Sequence, residues 1–236
     1  VKFAPNGNTN ATAEHALGLM LGVARKVPFA HATLKAGVWH KKRFQGVELM
    51  GKTLGVIGCG RIGQALAAKA KALGMKVVGY DVYRKMDSDV EYLDTVDDVL
   101  KASDFLSLHT GGRETVIGPR ELTLMKDTAF LINASRGINV DEDALYDALK
   151  SGKIAGAALD TYRKEPKREG EPFVNKLQEL DTVVFSAHLG ASTRNAMRRT
   201  GLEISEVVSK YLRLGDFTQS VNAGQTVEEE GQQIYT

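Results

Sequence analysis

The chain has 236 residues, with 31 Lys and Arg against 29 Asp and Glu, a formal charge of +2, 43% hydrophobic residues, five Pro and one Cys. These proportions exclude a disordered, collagen-like or disulfide-built protein, and the near balance of charge gives no electrostatic reason for a nucleic-acid or acidic-membrane partner. The longest apolar stretch, ALGLMLGVA at 16–24, is shorter than the roughly 20 residues that span a bilayer, so no membrane partner is expected; one Cys makes no internal disulfide framework, so a reducing, cytoplasmic compartment is expected.

The sequence begins at Val1 without Met and stops after VEEEGQQIYT, and it reads as a piece of something longer. After the short opening VKFAPNGNT, apolar residues at Ala13, Ala16, Leu17, Met20, Val23, Ala24 and Val27 recur at helical spacing. That predicts an amphipathic helix over 12–27, with Thr12 as its cap and Arg25 and Lys26 at its carboxyl end before Pro28. From Lys52 onward, short apolar runs alternate with helical segments. TLGVIG, KVVGYD, DFLSLH, TAFLINAS, KIAGAALDTY and TVVFSAH read as strands; RIGQALAAKAKALG, VEYLDTVDDVLKAS, DEDALYDALKSG and a long segment over 192–214 read as helices. Continuous apolar runs, each followed by a helix, mark parallel strands buried on both faces, so the fold class is α/β, a doubly wound parallel sheet. The charged, Pro-punctuated stretch YRKEPKREGEP, 162–172, reads as a solvated surface loop.

GCGRIG, Gly58 to Gly63, is a G-x-G-x-x-G segment set between a strand and the helix it opens. Gly58 suits the tight turn, Gly60 the close approach of a pyrophosphate and Gly63 close packing of helix on strand. Asp81 ends the next strand, 21 residues after Gly60, where a carboxylate accepts the ribose hydroxyls of NAD and repels the 2'-phosphate of NADP. Arg84 is the only hint toward NADP. Cys59, at the variable position of the turn, reads as a small buried residue.

Asp81, His109 with Thr110, Ser135 with Arg136, Asp160 and His188 each end or follow an apolar run. In open α/β sheets ligands bind at that edge, so these residues are expected to share one crevice. Beside NAD, a hydride transfer from an alcohol carbon needs a base for the hydroxyl proton, and His188 has the right intrinsic basicity. Arg136 offers a planar fork for a carboxylate or a carbonyl oxygen. A carboxylate should orient the imidazole, and spacing alone leaves Glu165, Glu169 and Glu171 open. His15, His31 and His40 have no metal-ligand spacing and read as surface or satisfied core residues, and no metal is expected. HKKRF at 40–44 and the Arg198–Arg199 pair read as solvated surface.

NASRG at 133–137, AALDTYRKEP at 157–166 and SAHLGAST at 186–193 resemble, in order and separation, three signature segments of the D-2-hydroxyacid dehydrogenases, over about residues 5–222. The resemblance implies that Arg136 binds the substrate carboxylate and carbonyl, that Glu165 orients His188, and that His188 is the general acid/base. It also implies cofactor contacts from Gly58, Gly60, Arg61, Ile62, Gly63, Asp81, His109, Thr110, Ala134, Ser135, Arg136, Asp160, His188, Leu189, Gly190 and Ala191, and a substrate contact from Asn8 beside Arg136 and His188. Within the family, HLGAST, PFVNKLQELDTVVF and GDFTQSVN are most similar to the branch that oxidises 3-phosphoglycerate with NAD, opening serine biosynthesis. A glyoxylate/hydroxypyruvate reductase, a D-lactate dehydrogenase and an NAD-sensing, corepressor-like binding protein stay open as alternatives.

The family pattern implies residues 1–10 as the hinge from a substrate domain, 11–190 as the NAD-binding domain, 191–222 as a helix returning to the substrate domain and 223–236 as the start of a linker or regulatory region. Most of the substrate domain would lie outside this chain, which is then expected to bind NAD and to turn over poorly by itself. A small 2-hydroxy acid, phosphorylated on this reading, is the expected substrate, and a homodimer or tetramer the expected assembly.

Overall fold

The computed structural model describes residues 1–221, 226–229 and 232–235. Two compact units divide the chain: residues 12–190 form one, and residues 1–11 with 191–236 the other. Of the expected linker at 223–236, residues 223–225, 230–231 and 236 lie outside the described residues. The pieces 226–229 and 232–235 form an antiparallel pair.

The larger unit is built on a seven-stranded sheet. Its strands are β1 Thr53–Ile57, β2 Lys76–Tyr80, β3 Glu91–Tyr92, β4 Phe105–Leu108, β5 Phe130–Asn133, β6 Gly156–Leu159 and β7 Val183–Phe185, in the order β3-β2-β1-β4-β5-β6-β7, every pair parallel. β4, β5 and β6 are buried at every position. Alternate side chains enter two separate cores. On one face Phe105, Phe130, Ile132, Ala158 and Val184 meet α1 (Thr9–Arg25) and α3 (Arg61–Ala72). On the other face Leu106, Leu108, Leu131, Leu159 and Val183 share a core with α4 (Val96–Ala102), α5 (Pro119–Leu124) and α6 (Glu142–Lys150). This is the doubly wound sheet that the strand compositions predict, and both faces must be apolar because both are covered.

Three local predictions are corrected. The first helix starts at Thr9, directly after the turn over residues 5–8, so Thr12 is buried within its first turns and does not cap it. It stops at Arg25, where Lys26 adopts a left-handed conformation (φ 54), and Pro28 then opens a second short helix, α2 (Val27–Lys35). Proline suits a first turn because its missing N–H is not needed there. The segment at 90–103 is not helical throughout: Glu91 and Tyr92 pair with β2 as the edge strand, and α4 begins only after Thr95, whose hydroxyl accepts the Asp98 N–H. Tertiary pairing outweighs helical propensity there.

In the smaller unit, α7 (Arg194–Leu214) begins two residues later than the pattern suggests. Thr193 caps it by accepting the Ala196 N–H, and Gly215 ends it at φ 65. Asn6 donates to Glu203 and the Lys2 ammonium lies over the Tyr211 ring, so the first residues of the chain lie along this helix. Among the described residues no helix is long and apolar enough to cross a membrane.

Candidate active site

Because all seven strands are parallel, the residues after each strand stand on one edge of the sheet. Strand order reverses between β1 and β4, and in open α/β sheets ligands bind outside the strand ends at such a switch. Gly58 sits there at φ 91, and a Cβ on it would fall 2.6 Å from the carbonyl carbon and oxygen of His109. Only glycine meets both demands. At Gly63 a Cβ would approach the Gly58 carbonyl oxygen to 2.3 Å, so the third glycine lets α3 press onto the loop. Beside Gly60 there is open space. Gly60 caps α3 without a side-chain hydrogen bond, which leaves the first-turn N–H groups, from Arg61, Ile62 and Gly63 on, at the positive end of the helix dipole.

Asp81, after β2, is held by two backbone donors, the Cys59 N–H at 2.7 Å and the Tyr83 N–H at 3.0 Å. Arg84 is turned to the Leu93 carbonyl (3.1 Å) and the Asp94 carboxylate (3.0 Å). Burial, reinforced by the Asp81 charge, pushes the Cys59 thiol up to about 12, so Cys59 is an inert core residue, as its position in the turn suggested.

His109, after β4, bonds Ser107 Oγ through Nε2 at 2.9 Å, and burial lowers its pKa to about 4. Its Nδ1 is buried without a protein partner, as are the hydroxyls of Thr110 and Thr161. Buried polar atoms of this kind are normally satisfied, and a bound polar ligand is one way to satisfy them. The uncapped helix start, the open space at Gly60, the anchored Asp81 and these orphaned atoms together fit a dinucleotide.

After β5, Asn133 shapes the turn that carries Arg136. Its side chain accepts from the N–H (3.1 Å) and hydroxyl (2.8 Å) of Ser135 and donates to the Arg136 carbonyl (3.0 Å). Ala134 and Ser135 are buried in this turn, whereas Arg136 is exposed, with one guanidinium N–H on the Ser135 carbonyl.

After β6 and β7 lie a histidine and a carboxylate in contact. His188 Nδ1 is 2.9 Å from Glu165 Oε2, and Glu165 Oε1 accepts the Tyr162 N–H at 3.1 Å. Geometry therefore selects Glu165; Glu171 instead accepts the N–H groups of Lys167 and Arg168. An ionised carboxylate accepts only, so Nδ1 carries the proton and Nε2 is left free to take one up. His188 is 54% exposed and left-handed (φ 54), a conformation that costs a non-glycine residue about 1–3 kcal/mol. Asp160 compensates it. Its carbonyl accepts the His188 N–H at 2.8 Å, and its carboxylate, 1% exposed, accepts from His15 Nε2, Ser186 Oγ and the N–H groups of Leu189 and Gly190. Burial opposes ionisation of Asp160, but these donors outweigh it and hold the carboxyl far below the usual range.

The stretch 162–172 is more than a solvated loop. Tyr162 is buried, and with Phe173, Phe185, Glu165 and His188 the loop lines a cavity of about 620 Å³. Asn8 and Ala191 belong to the smaller unit, with Asn8 in the turn before α1. The contacts of His15 and Ser186 with Asp160 and the orphaned Thr161 are features of this edge that sequence reasoning missed. His15 lies 145 residues from Asp160, and no local pattern joins them.

A glycine-loop dinucleotide site and a His–carboxylate pair on one sheet edge define the class: the cofactor domain of a nicotinamide-dependent oxidoreductase. Residues 17–190 match the model of the D-isomer specific 2-hydroxyacid dehydrogenase NAD-binding domain, and the chain belongs to that family. It is 44% identical over 225 residues to a D-3-phosphoglycerate dehydrogenase of Methanocaldococcus jannaschii, covering 92% of this chain and 42% of that enzyme. It is 43% identical to a hydroxypyruvate reductase of Thermotoga maritima, covering 88% and 68%. Among solved structures, a D-2-hydroxyisocaproate dehydrogenase aligns with a TM-score of 0.85 at 31% identity, over 92% of this chain and 70% of that one. The chain thus spans about two fifths of the archaeal enzyme's length.

The depressed pKa of His109 predicts a pH dependence of stability. Unfolded, this imidazole takes up a proton near pH 6.5; folded, only near pH 4. Between these values the unfolded chain holds more protons, so the stability contribution is complete above pH 6.5 and is lost as pH falls toward 4. Urea midpoints measured down to about pH 4.5 should fall in the wild type and fall less in His109→Gln. Equal slopes would show that His109 is not a buried neutral imidazole.

Proposed function

We propose that the intact protein oxidises 3-phosphoglycerate to 3-phosphohydroxypyruvate with NAD, this chain supplying the cofactor site and the catalytic residues Arg136, Glu165 and His188. The observation that carries the reading is the 2.9 Å contact between Glu165 and an exposed His188 on the same sheet edge as the glycine loop. The name of the Methanocaldococcus relative supports the choice of substrate.

The cofactor, when bound, supplies the hydride acceptor. Gly58, Gly60, Arg61, Ile62 and Gly63 would hold its pyrophosphate at the start of α3, Asp81 its ribose hydroxyls, and His109, Thr110, Ala134, Ser135, Asp160, Leu189 and Gly190 its cleft. Arg136 would grip the substrate carboxylate with the guanidinium N–H groups not used on Ser135. His188 Nε2 would remove the hydroxyl proton while Glu165 steadies the imidazolium that forms, as the acceptor of its Nδ1–H. In the reverse direction the same Nε2–H would return the proton.

Turnover of the intact protein, followed by NAD reduction, should be faster with 3-phosphoglycerate than with D-lactate, glycolate or glycerate. His188→Ala should lower kcat by roughly 10² to 10⁴ while NAD affinity stays close to wild type. An unchanged kcat removes His188 from the chemistry. Preference for the unphosphorylated acids favours the second reading, a hydroxypyruvate reductase, which the Thermotoga relative supports. Asp81→Ala should narrow the ratio of NAD to NADP affinity; an unmoved ratio would disprove the ribose assignment.

We place the contact of a homodimer on α1, α2 and the residues after them. Leu21, Val27, Leu34, Val38 and Trp39 are exposed there, and α2 buries no residue at all. An uncovered apolar helix of this kind marks an association surface. Sedimentation of the intact protein should report a dimer or larger assembly that Leu34→Lys with Trp39→Lys weakens; unaltered association would move the contact elsewhere.

A further inference from the structure

The Asp160 carboxylate has donors from two sources. Ser186 Oγ (2.6 Å), Leu189 N–H (2.8 Å) and Gly190 N–H (2.9 Å) belong to the loop that holds His188. The remaining donor, His15 Nε2 at 3.0 Å, comes from α1 and has no part in the chemistry proposed above. Nε2 is also 3.0 Å from Ser186 Oγ. The serine proton is directed to Asp160 Oδ1, and an ionised carboxylate has none to give, so Nε2 must carry a proton to meet either atom. α1 closes on this loop at a second point. Thr12, one turn before His15, stands where a Cβ on Gly190 would lie 3.3 Å from both Thr12 Cγ2 and Asp160 Oδ2.

We propose that His15 is a positioning residue for the loop that carries His188: by donating from Nε2 to Asp160 and Ser186 it holds residues 186–190 in register with Glu165. The loop has no regular hydrogen-bonded ladder of its own; its N–H groups are anchored on the Asp160 carbonyl and carboxylate and the Leu159 carbonyl, and the Ser186 carbonyl accepts the Tyr162 hydroxyl at 2.8 Å. Ser186 is the junction. With the imidazole present, its hydroxyl both accepts from His15 and donates to Asp160; without it, the hydroxyl loses the donor that fixes its rotamer, and the buried carboxylate loses a compensating partner. Loosening there displaces the residue two positions on, which is His188.

The kinetic arm of the test rests on the role proposed for His188; the exchange arm does not. In the intact protein, His15→Gln, His15→Asn and His15→Leu separate the donor from the space it fills, because a glutamine amide reaches the place of Nε2 and an asparagine amide only that of Nδ1. His15→Gln should keep kcat and the slow amide exchange of Leu189 and Gly190 close to wild type. His15→Asn and His15→Leu should lower kcat roughly ten- to a hundredfold, with the KM for NAD changed far less. The same two variants should speed exchange at both amides by at least about tenfold. Wild-type kcat and exchange in all three variants would overturn the proposal. So would a glutamine variant as defective as the leucine one, or a fall in kcat with Leu189 and Gly190 still protected. Loss of protection in the Asn and Leu variants alone, in a protein that oxidises no 2-hydroxy acid, would support the positioning role and reject the functional reading.

Discussion

A carboxylate removed from water is tolerated only where donors replace its hydration, and Asp160 imposes that demand on everything around it. It is 1% exposed and ionised, so the chain must deliver hydrogen-bond donors to one point at the end of β6. They come from α1, from the hydroxyl after β7 and from two amides of the following loop. The peptide carbonyl of the same residue fixes His188 in a left-handed conformation that would otherwise be unfavourable. The placement of His188 is therefore a consequence of solvating a buried charge.

The parallel sheet is the second constraint. Parallel strands with both faces covered leave polar groups one place to gather, the edge where the loops emerge. The glycine loop, Asp81, His109, the Arg136 turn, Asp160 and His188 all occupy that edge, although they come from six different strand ends. The two parts of this edge are built differently. At β1 and β4 the backbone approaches so closely that side chains are excluded, which leaves N–H groups and space for phosphate. At β6 and β7 side chains dominate, and a carboxylate pair orients two histidines: Asp160 holds His15 and Glu165 holds His188. The first arrangement suits a dinucleotide and the second suits proton transfer.

What was legible in the sequence follows from the range of the interactions concerned. The alternation of strands and helices, the glycine loop and the residues at strand ends depend on neighbours a few positions away, and the six strands read from the pattern stand in the sheet with those residues at their ends. Errors arose where a distant partner decided. Glu91 and Tyr92 belong to a segment read as helical but pair with β2, and Thr12 has the chemistry of a cap but is buried about one turn inside α1. The loop at 162–172 is charged enough to read as solvated, yet Tyr162 is buried, with Phe185 stacked on it and Phe173 tilted against it.

By itself the sequence determined the α/β class, the dinucleotide loop and a short list of candidate acids, bases and cations, because periodicity and motif spacing are local properties of the chain. Spacing could not choose among Glu165, Glu169 and Glu171; the resemblance pointed to Glu165, and the 2.9 Å contact with His188 selects it. Nor could it attach any role to His15, since 145 residues separate it from Asp160. Only the tertiary structure decided these points. The direction of a side chain and the identity of its partner are set by how the strands and α1 pack, and hydrogen bonds act over about 3 Å of space with no regard to distance along the chain.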